Sequence, residues 1–224
     1  MRGDGARQLA LDLPHAESFR RDDFLESPAN SAALALVDRW PDWPHSSAAI
    51  IGPAGSGKSH LAAIWAERAG ARIIAAAELN AAGVPGALAT GALVIEDFAP
   101  NRVDEPALFH LLNLAREQGA FLLITARERL DQGPYMLADV ASRLRAVPAI
   151  TLAPPDDSLL AAVLVKLFAD RQLAIDEGVV SYLVARIERS LASAEAIVTR
   201  LDQAALSRGR SVTRVLASEV LRAG

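Results

Sequence analysis

The chain has 224 residues, 51% of them hydrophobic, with a formal net charge of -4 and no cysteine. Such a length forms one domain, or one domain with a small appendage, and the hydrophobic fraction is ample for a core. The composition excludes disulfides, iron–sulfur clusters and thiolate chemistry, and the negative charge excludes a generally basic nucleic-acid binder.

Residues 1–23 read as a flexible N-terminal segment, charged and interrupted by Pro14, without the apolar run of a signal peptide. A helix is predicted from Asn30 to Trp40, closed by Pro41 and Pro44. Ser47-Ala48-Ala49-Ile50-Ile51 reads as a short buried strand leading into Gly52-Pro53-Ala54-Gly55-Ser56-Gly57-Lys58-Ser59, and a helix follows from His60 to Ala69. Arg72 to Ala75 is a second strand, 80–92 an Ala/Gly-rich connection, and Leu93-Val94-Ile95 a third strand ending in Glu96 and Asp97. Asp104-Glu105-Pro106 opens a helix with a cap and an early proline. Leu108, Leu111, Leu112 and Ala115 form its apolar stripe, and Gly119 ends it. Phe121 to Thr125 is a fourth strand, Leu137 to Leu144 a short helix, and Ala149 to Leu152 a fifth strand.

Strands alternating with helices imply a parallel sheet covered on both faces. Pro154-Pro155 marks a boundary, beyond which everything reads helical, roughly over 156–171, 176–188, 193–208 and 213–222. The expected organisation is a segment at 1–23, an α/β nucleotide-binding domain at 24–154 and a small all-α lid at 155–224. The apolar run Leu159 to Ala169 is too short for a membrane span and contains Lys166, so no membrane association is expected. The lack of cysteine suits a reducing compartment, and a cytoplasmic location is expected. The last 39 residues carry 7 arginines against 4 acids, which reads as a solvated helical surface.

Residues 52–59 fit the phosphate-binding pattern G-x-x-x-x-G-K-[ST] in the strand–loop–helix context it requires. Glycines let successive N–H groups turn toward phosphate oxygens, and the helix N-terminus adds positive charge there. Lys58 would reach the β- and γ-phosphates of ATP, and the Ser59 hydroxyl would hold Mg²⁺. Lysine occurs only here and at position 166. Glu96 and Asp97 at a strand end supply one carboxylate for Mg²⁺ and one to orient the attacking water. Thr125, closing the fourth strand, reads either as a simple strand-end residue or as a hydroxyl that senses a γ-phosphate. Arg143, near the end of a short helix, reads either as a favourable C-terminal charge or as an arginine finger, with Arg145 as its rival. The four histidines have no ligand spacing, so no metal site made of protein alone is indicated.

Over nearly all of residues 8–222 these features resemble the AAA+ P-loop ATPases, and within them the DnaA/Hda branch. The resemblance rests on Lys58-Ser59-His60-Leu61, the strands Leu93 to Asp97 and Phe121 to Thr125, and Ser142-Arg143-Leu144. Phe24-Leu25 and Asn30 resemble the segment lying over the adenine, and Arg200-Leu201-Asp202-Gln203 resembles the lid helix of Hda-like members. A DnaA-type initiator would carry a further DNA-binding domain beyond the lid, so the end at Gly224 favours the shorter, Hda-like members. The resemblance implies a five-stranded AAA+ sheet with flanking helices and a lid, ATP or ADP held by Leu25 and residues 52–60, and Mg²⁺ at Ser59 and Glu96. It also implies an Hda-like negative regulator of replication initiation. Its partners would be a DnaA-like initiator and the DNA polymerase III sliding clamp, with DNA reached only through these two and a homo-oligomer left open. Gln8-Leu9-Ala10-Leu11-Asp12-Leu13 resembles the clamp-docking peptide, with Gln8 for a polar pocket and Leu11 and Leu13 for an apolar groove. Arg143 would act in trans on initiator-bound ATP.

Two departures stand out. The carboxylates come as Glu then Asp, against the usual Asp then Glu. Glu195 aligns with the lid arginine that reaches the phosphates in this family, with Arg189 or Arg200 as substitutes if the helix is shifted. A carboxylate there repels a γ-phosphate, so weak intrinsic hydrolysis is expected. A self-sufficient P-loop ATPase or kinase, with Arg127 and Arg129 in a suitable loop, and a nucleotide-locked adaptor are the other readings.

Overall fold

The computed structural model describes residues 19–43 and 45–223. The docking-peptide residues Gln8, Leu11 and Leu13 lie outside them. Five parallel strands form one sheet: β1 (Ser47–Ile51), β2 (Arg72–Ala75), β3 (Ala92–Phe98), β4 (Phe121–Ala126) and β5 (Ala149–Thr151). Their order is β2-β3-β4-β1-β5, which sets the carboxyl ends of β3, β4 and β1 side by side. Around the sheet lie α1 (Ser31–Asp38), α2 (Lys58–Ala69), α3 (Val84–Ala87), α4 (Glu105–Gln118) and α5 (Ala138–Ala146).

The two-residue period of a strand divides its side chains between two faces. Ala49, Leu93 and Ile95 enter one core with α4 and α5, whereas Ala48, Ile50 and Val94 enter the other with α1 and α2. That is why these strands read as continuous apolar runs. The second core contains all the tryptophans of the chain: Trp43 stacks on Trp65 at 5.3 Å, and Trp40 meets Trp65 edge-on at 6.3 Å.

Four helices follow: α6 (Asp157–Asp170), α7 (Glu177–Val184), α8 (Leu191–Arg208) and α9 (Arg214–Arg222). They enclose a core of their own around fully buried Leu160, Phe168, Leu183 and Leu201. Each begins at a side-chain cap, with Asp156, Asp176, Ser190 and Thr213 accepting from the N–H three residues on. The Ser190 cap starts α8 at Leu191, two residues before the expected 193, and α7 stops at Val184 rather than 188. The Ala/Gly-rich connection contains α3, built around Pro85 in its first turn.

Strand β3 also runs further than its apolar stretch indicates, carrying Glu96 and Asp97 within it to Phe98. Its register against β4 shifts between Ile95 and Phe98, and Asp97 has φ +51°. Such a bulge re-aims the side chains beside it. No helix among the described residues is long and apolar enough to cross a membrane.

Candidate functional site

A cleft of about 620 Å³ opens where the phosphate loop, the segment before α1 and the helical lid meet. The loop needs its glycines. Gly55 and Gly57 have φ of +67° and +96°, a region L-residues rarely adopt. A Cβ on Gly55 would stand 2.8 Å from the Ser190 Cβ, so the lid approaches the loop closely there. The Leu191 N–H donates to the Gly55 carbonyl at 2.7 Å, tying the start of α8 to the loop.

Lys58 Nζ donates to the carbonyls of Gly52 (2.9 Å) and Pro53 (2.7 Å). Burial pushes its ammonium pKa down; Asp97 and Glu96 oppose that shift, and the Arg127 charge adds to it. A cation held where its charge is disfavoured gains from an incoming anion. The buried Ser56 hydroxyl has no hydrogen-bond partner, and the residue lines the same cleft. Ala54, Ser59 and His60 complete the loop side of the lining.

The opposite wall is apolar. His60 packs edge-on against Phe24 (5.2 Å) and Phe19 (5.4 Å), and its Nε2 lies 3.1 Å from the Arg20 carbonyl oxygen. Asn30 pins this segment: its Nδ2 donates to the Leu25 carbonyl at 2.9 Å, and its Oδ1 accepts from the Ser27 N–H at 2.9 Å. Leu25 lines the cleft, facing Leu159, Val163 and Leu167 of α6. Lys166, also on α6, bridges Asp23 (2.9 Å) and Asp170 (2.8 Å). Burial works against its charge, but the two carboxylates outweigh this and hold its pKa above the usual lysine value. The flat apolar slot and the polar loop together match the two halves of a nucleotide.

Of the acidic pair, Asp97 lines the cleft and Glu96 does not; one buried Glu96 oxygen, Oε1, lacks a hydrogen-bond partner. Thr125 is 1% exposed and its hydroxyl accepts from the Asp97 N–H at 3.2 Å, so in this structure it holds the β3 bulge. Among the described residues no group of three or more His, Cys, Asp or Glu is placed to hold a metal ion. Ser59, the carboxylate pair with its orphaned oxygen, and phosphate oxygens from a ligand are donors of the kind Mg²⁺ takes.

Arg143 lies on α5 and is not part of the cleft lining. It pairs with Asp139 at 2.7 Å on its own helix and its guanidinium lies 5.8 Å from the Phe109 ring centre. Arg145 is exposed. On the lid, Glu195 lines the cleft. The two substitutes do not: Arg189 pairs with Asp157 at 2.9 Å and Arg200 donates to the Val220 carbonyl. The cations that do reach the cleft are Lys58, Arg127, Lys166 and Arg171. The role of Lys166 went unread in the sequence, although the rarity of lysine marked it. Arg171 had no signal; it joins α6 to α8 by donating to the Thr199 hydroxyl at 3.3 Å.

A glycine loop between the first strand and a helix, an acidic pair at the end of β3 and a helical lid on a sheet of this order define an AAA+ fold. The structure is similar to domain III of the replication initiation protein DnaA from Thermotoga maritima, with a TM-score of 0.74 and 17% identity over 91% of this chain and 95% of that one. It is also similar to the replication initiator DnaA bound to AMPPCP and single-stranded DNA (TM-score 0.64, 15% identity, 84% of this chain and 67% of that one). The Thermotoga maritima RuvB Holliday junction branch migration motor matches with a TM-score of 0.72 and 17% identity, over 92% of this chain and 72% of that one. A search of curated proteins by sequence gives no match. Residues 157–221 match the family model of the Hda lid domain. The lid segment thus matches the Hda lid family, and the fold is shared with DnaA domain III and other AAA+ structures.

Proposed function

We propose that the protein binds ADP or ATP with Mg²⁺ in this cleft and acts as an Hda-like negative regulator of replication initiation. The observation that carries the reading is an Hda-type lid whose α8 start is hydrogen-bonded to the phosphate loop, so that nucleotide and lid share one site. Bound nucleotide would place its base between Leu25 and α6 and its phosphates on Lys58 and the loop N–H groups. Ser59 would hold Mg²⁺, which neutralises phosphate charge, with Glu96 and Asp97 accepting from the water around it. The DnaA-related fold supports an initiator as partner, and the 8–13 peptide supports docking on the sliding clamp. Arg143 would complete the initiator's site in trans, and turnover would take place mainly there.

The direct test is hydrolysis of DnaA-bound ATP, measured with and without clamp loaded on DNA. Stimulation that requires both this protein and the clamp is expected. Replacing Gln8, Leu11 and Leu13 together with Ala should abolish clamp co-elution while leaving the melting temperature unchanged. Co-elution of the triple variant would refute the docking assignment.

Glu195 bears on the chain's own turnover. Its carboxylate on the cleft wall predicts slow intrinsic ATP hydrolysis and tighter binding of ADP than of ATP. Glu195→Arg should raise ATP affinity, read by calorimetry. Equal or tighter binding of ATP by the unmodified chain would contradict this.

A nucleotide-locked adaptor is the second reading, and one observation favours it: Arg143 is engaged within its own helix by Asp139 and Phe109.

A further inference from the structure

The lid carries a group of arginines that its ion pairs leave unused. Lys166, Arg189 and Arg208 are each paired with a carboxylate. Arg186, Arg214 and Arg222 are exposed, and among the described residues none of the three makes an ion pair. They meet around one side chain, Tyr182 of α7. The Arg186 guanidinium lies over the Tyr182 ring at 3.9 Å and donates to the Tyr182 carbonyl at 3.3 Å. The Arg214 guanidinium lies 5.0 Å from the same ring centre. Arg214, Ser218 and Arg222 recur at four-residue spacing on α9 and so share one side of that helix. A hydrogen bond to Ser218 and then the charges of Arg186, Arg222 and Arg214 hold the Tyr182 phenol below its usual pKa, against the effect of desolvation, so all three cations act on one point. None of these residues lines the nucleotide cleft.

We infer that this face of the lid binds the phosphate backbone of DNA directly. The chain has a net charge of -4, yet its last 39 residues carry 7 arginines against 4 acids, so this end attracts a polyanion that the chain as a whole repels. Each guanidinium is a planar fork that fits two phosphate oxygens. Arg214 and Arg222 stand about 12 Å apart along the helix axis, and the phosphates of one strand recur about every 3.4 Å of duplex, so the pair spans several phosphates rather than one small anion. The Tyr182 ring has Arg186 stacked on it and is no platform for a base. The contact is therefore to the backbone and carries no sequence preference. Three such contacts bind weakly alone and add to whatever else holds the protein near DNA. The protein would then touch DNA itself, and not only through an initiator and a clamp.

The test is fluorescence anisotropy of a labelled duplex oligonucleotide titrated with the full chain, without clamp or initiator, at about 50 to 200 mM salt. The logarithm of the binding constant should fall against the logarithm of salt with a slope of about -2.7, the value for three phosphate contacts. Replacing Arg186, Arg214 and Arg222 together with Ala should weaken binding at least about tenfold at low salt, and each single replacement should flatten the slope by about one unit. Replacing the three with Lys should keep the slope and lose part of the affinity, since the charge stays and the fork goes. Arg116→Ala removes an exposed charge from α4 and should alter the affinity by no more than about twofold. The circular dichroism of every variant should match the parent, because the replaced side chains are exposed. No binding by the parent, an unchanged slope in the triple Ala variant, or an equal loss from Arg116→Ala overturns the inference. So does equal affinity for polyglutamate of matched charge, or binding to phosphatidylglycerol vesicles in place of DNA.

Discussion

Lys58→Ala is expected to remove most of the affinity of this protein for Mg²⁺–ADP and Mg²⁺–ATP while leaving it folded. The ammonium makes two hydrogen bonds, to the Gly52 and Pro53 carbonyls, in a buried position that lowers its pKa. Those two bonds turn it inward against the loop, and they are exchangeable for phosphate oxygens of the same reach. Each charge-assisted bond lost to a ligand costs about 1.5–3 kcal/mol, so the dissociation constant should rise at least about tenfold, and more if both phosphates are contacted. The fold should lose little, because removing a cation from a place that disfavours its charge also removes its desolvation cost. Calorimetry giving the parent's ADP affinity for this variant would contradict the site assignment outright.

The glycine loop was legible because its chemistry is local: eight consecutive residues, with a strand before and a helix after. The strands were legible because both faces of the sheet are buried, which turns them into apolar runs such as Leu93-Val94-Ile95. The β3 bulge was not. Glu96 and Asp97 look like a polar strand end, and only pairing with β4 and the Thr125 hydroxyl keep the chain in the sheet as far as Phe98. The bridge from Asp23 to Lys166 was equally invisible, since it joins a segment before α1 to a lid helix far along the chain. The same holds for Arg127, which the sequence placed in a loop but could not place beside Gly52. Contacts between distant segments are set by tertiary packing, which leaves no periodic trace.

Arg143→Ala is expected to leave nucleotide and clamp binding intact and to remove most of the stimulation of initiator ATP hydrolysis. The side chain is occupied in the isolated chain by Asp139 and the Phe109 ring. An i,i+4 pair of this kind contributes only about 0.3–0.5 kcal/mol, so a competing phosphoryl oxygen would displace it easily. Fingers in other P-loop systems contribute about 10³–10⁵ in rate. A loss of at least about tenfold is expected here if Arg143 acts in trans as proposed. Arg145, two residues on and exposed, projects from a different side of α5, so Arg145→Ala should matter less. If Arg145→Ala is inactive and Arg143→Ala normal, the assignment within this helix is reversed. If neither changes hydrolysis while the clamp is still bound, the adaptor reading replaces the finger.

The placement of the tryptophans has a practical consequence for following this molecule in solution. All three, Trp40, Trp43 and Trp65, are gathered on one side of the sheet with Phe121, and the lid has none. Tryptophan emission therefore reports on the α1–α2 side of the sheet and is blind to α6–α9. A lid that loosens before the sheet would pass unseen by that signal, whereas far-ultraviolet circular dichroism would register its four helices. Non-coincident unfolding curves from the two probes would be the mark of a lid that comes apart on its own.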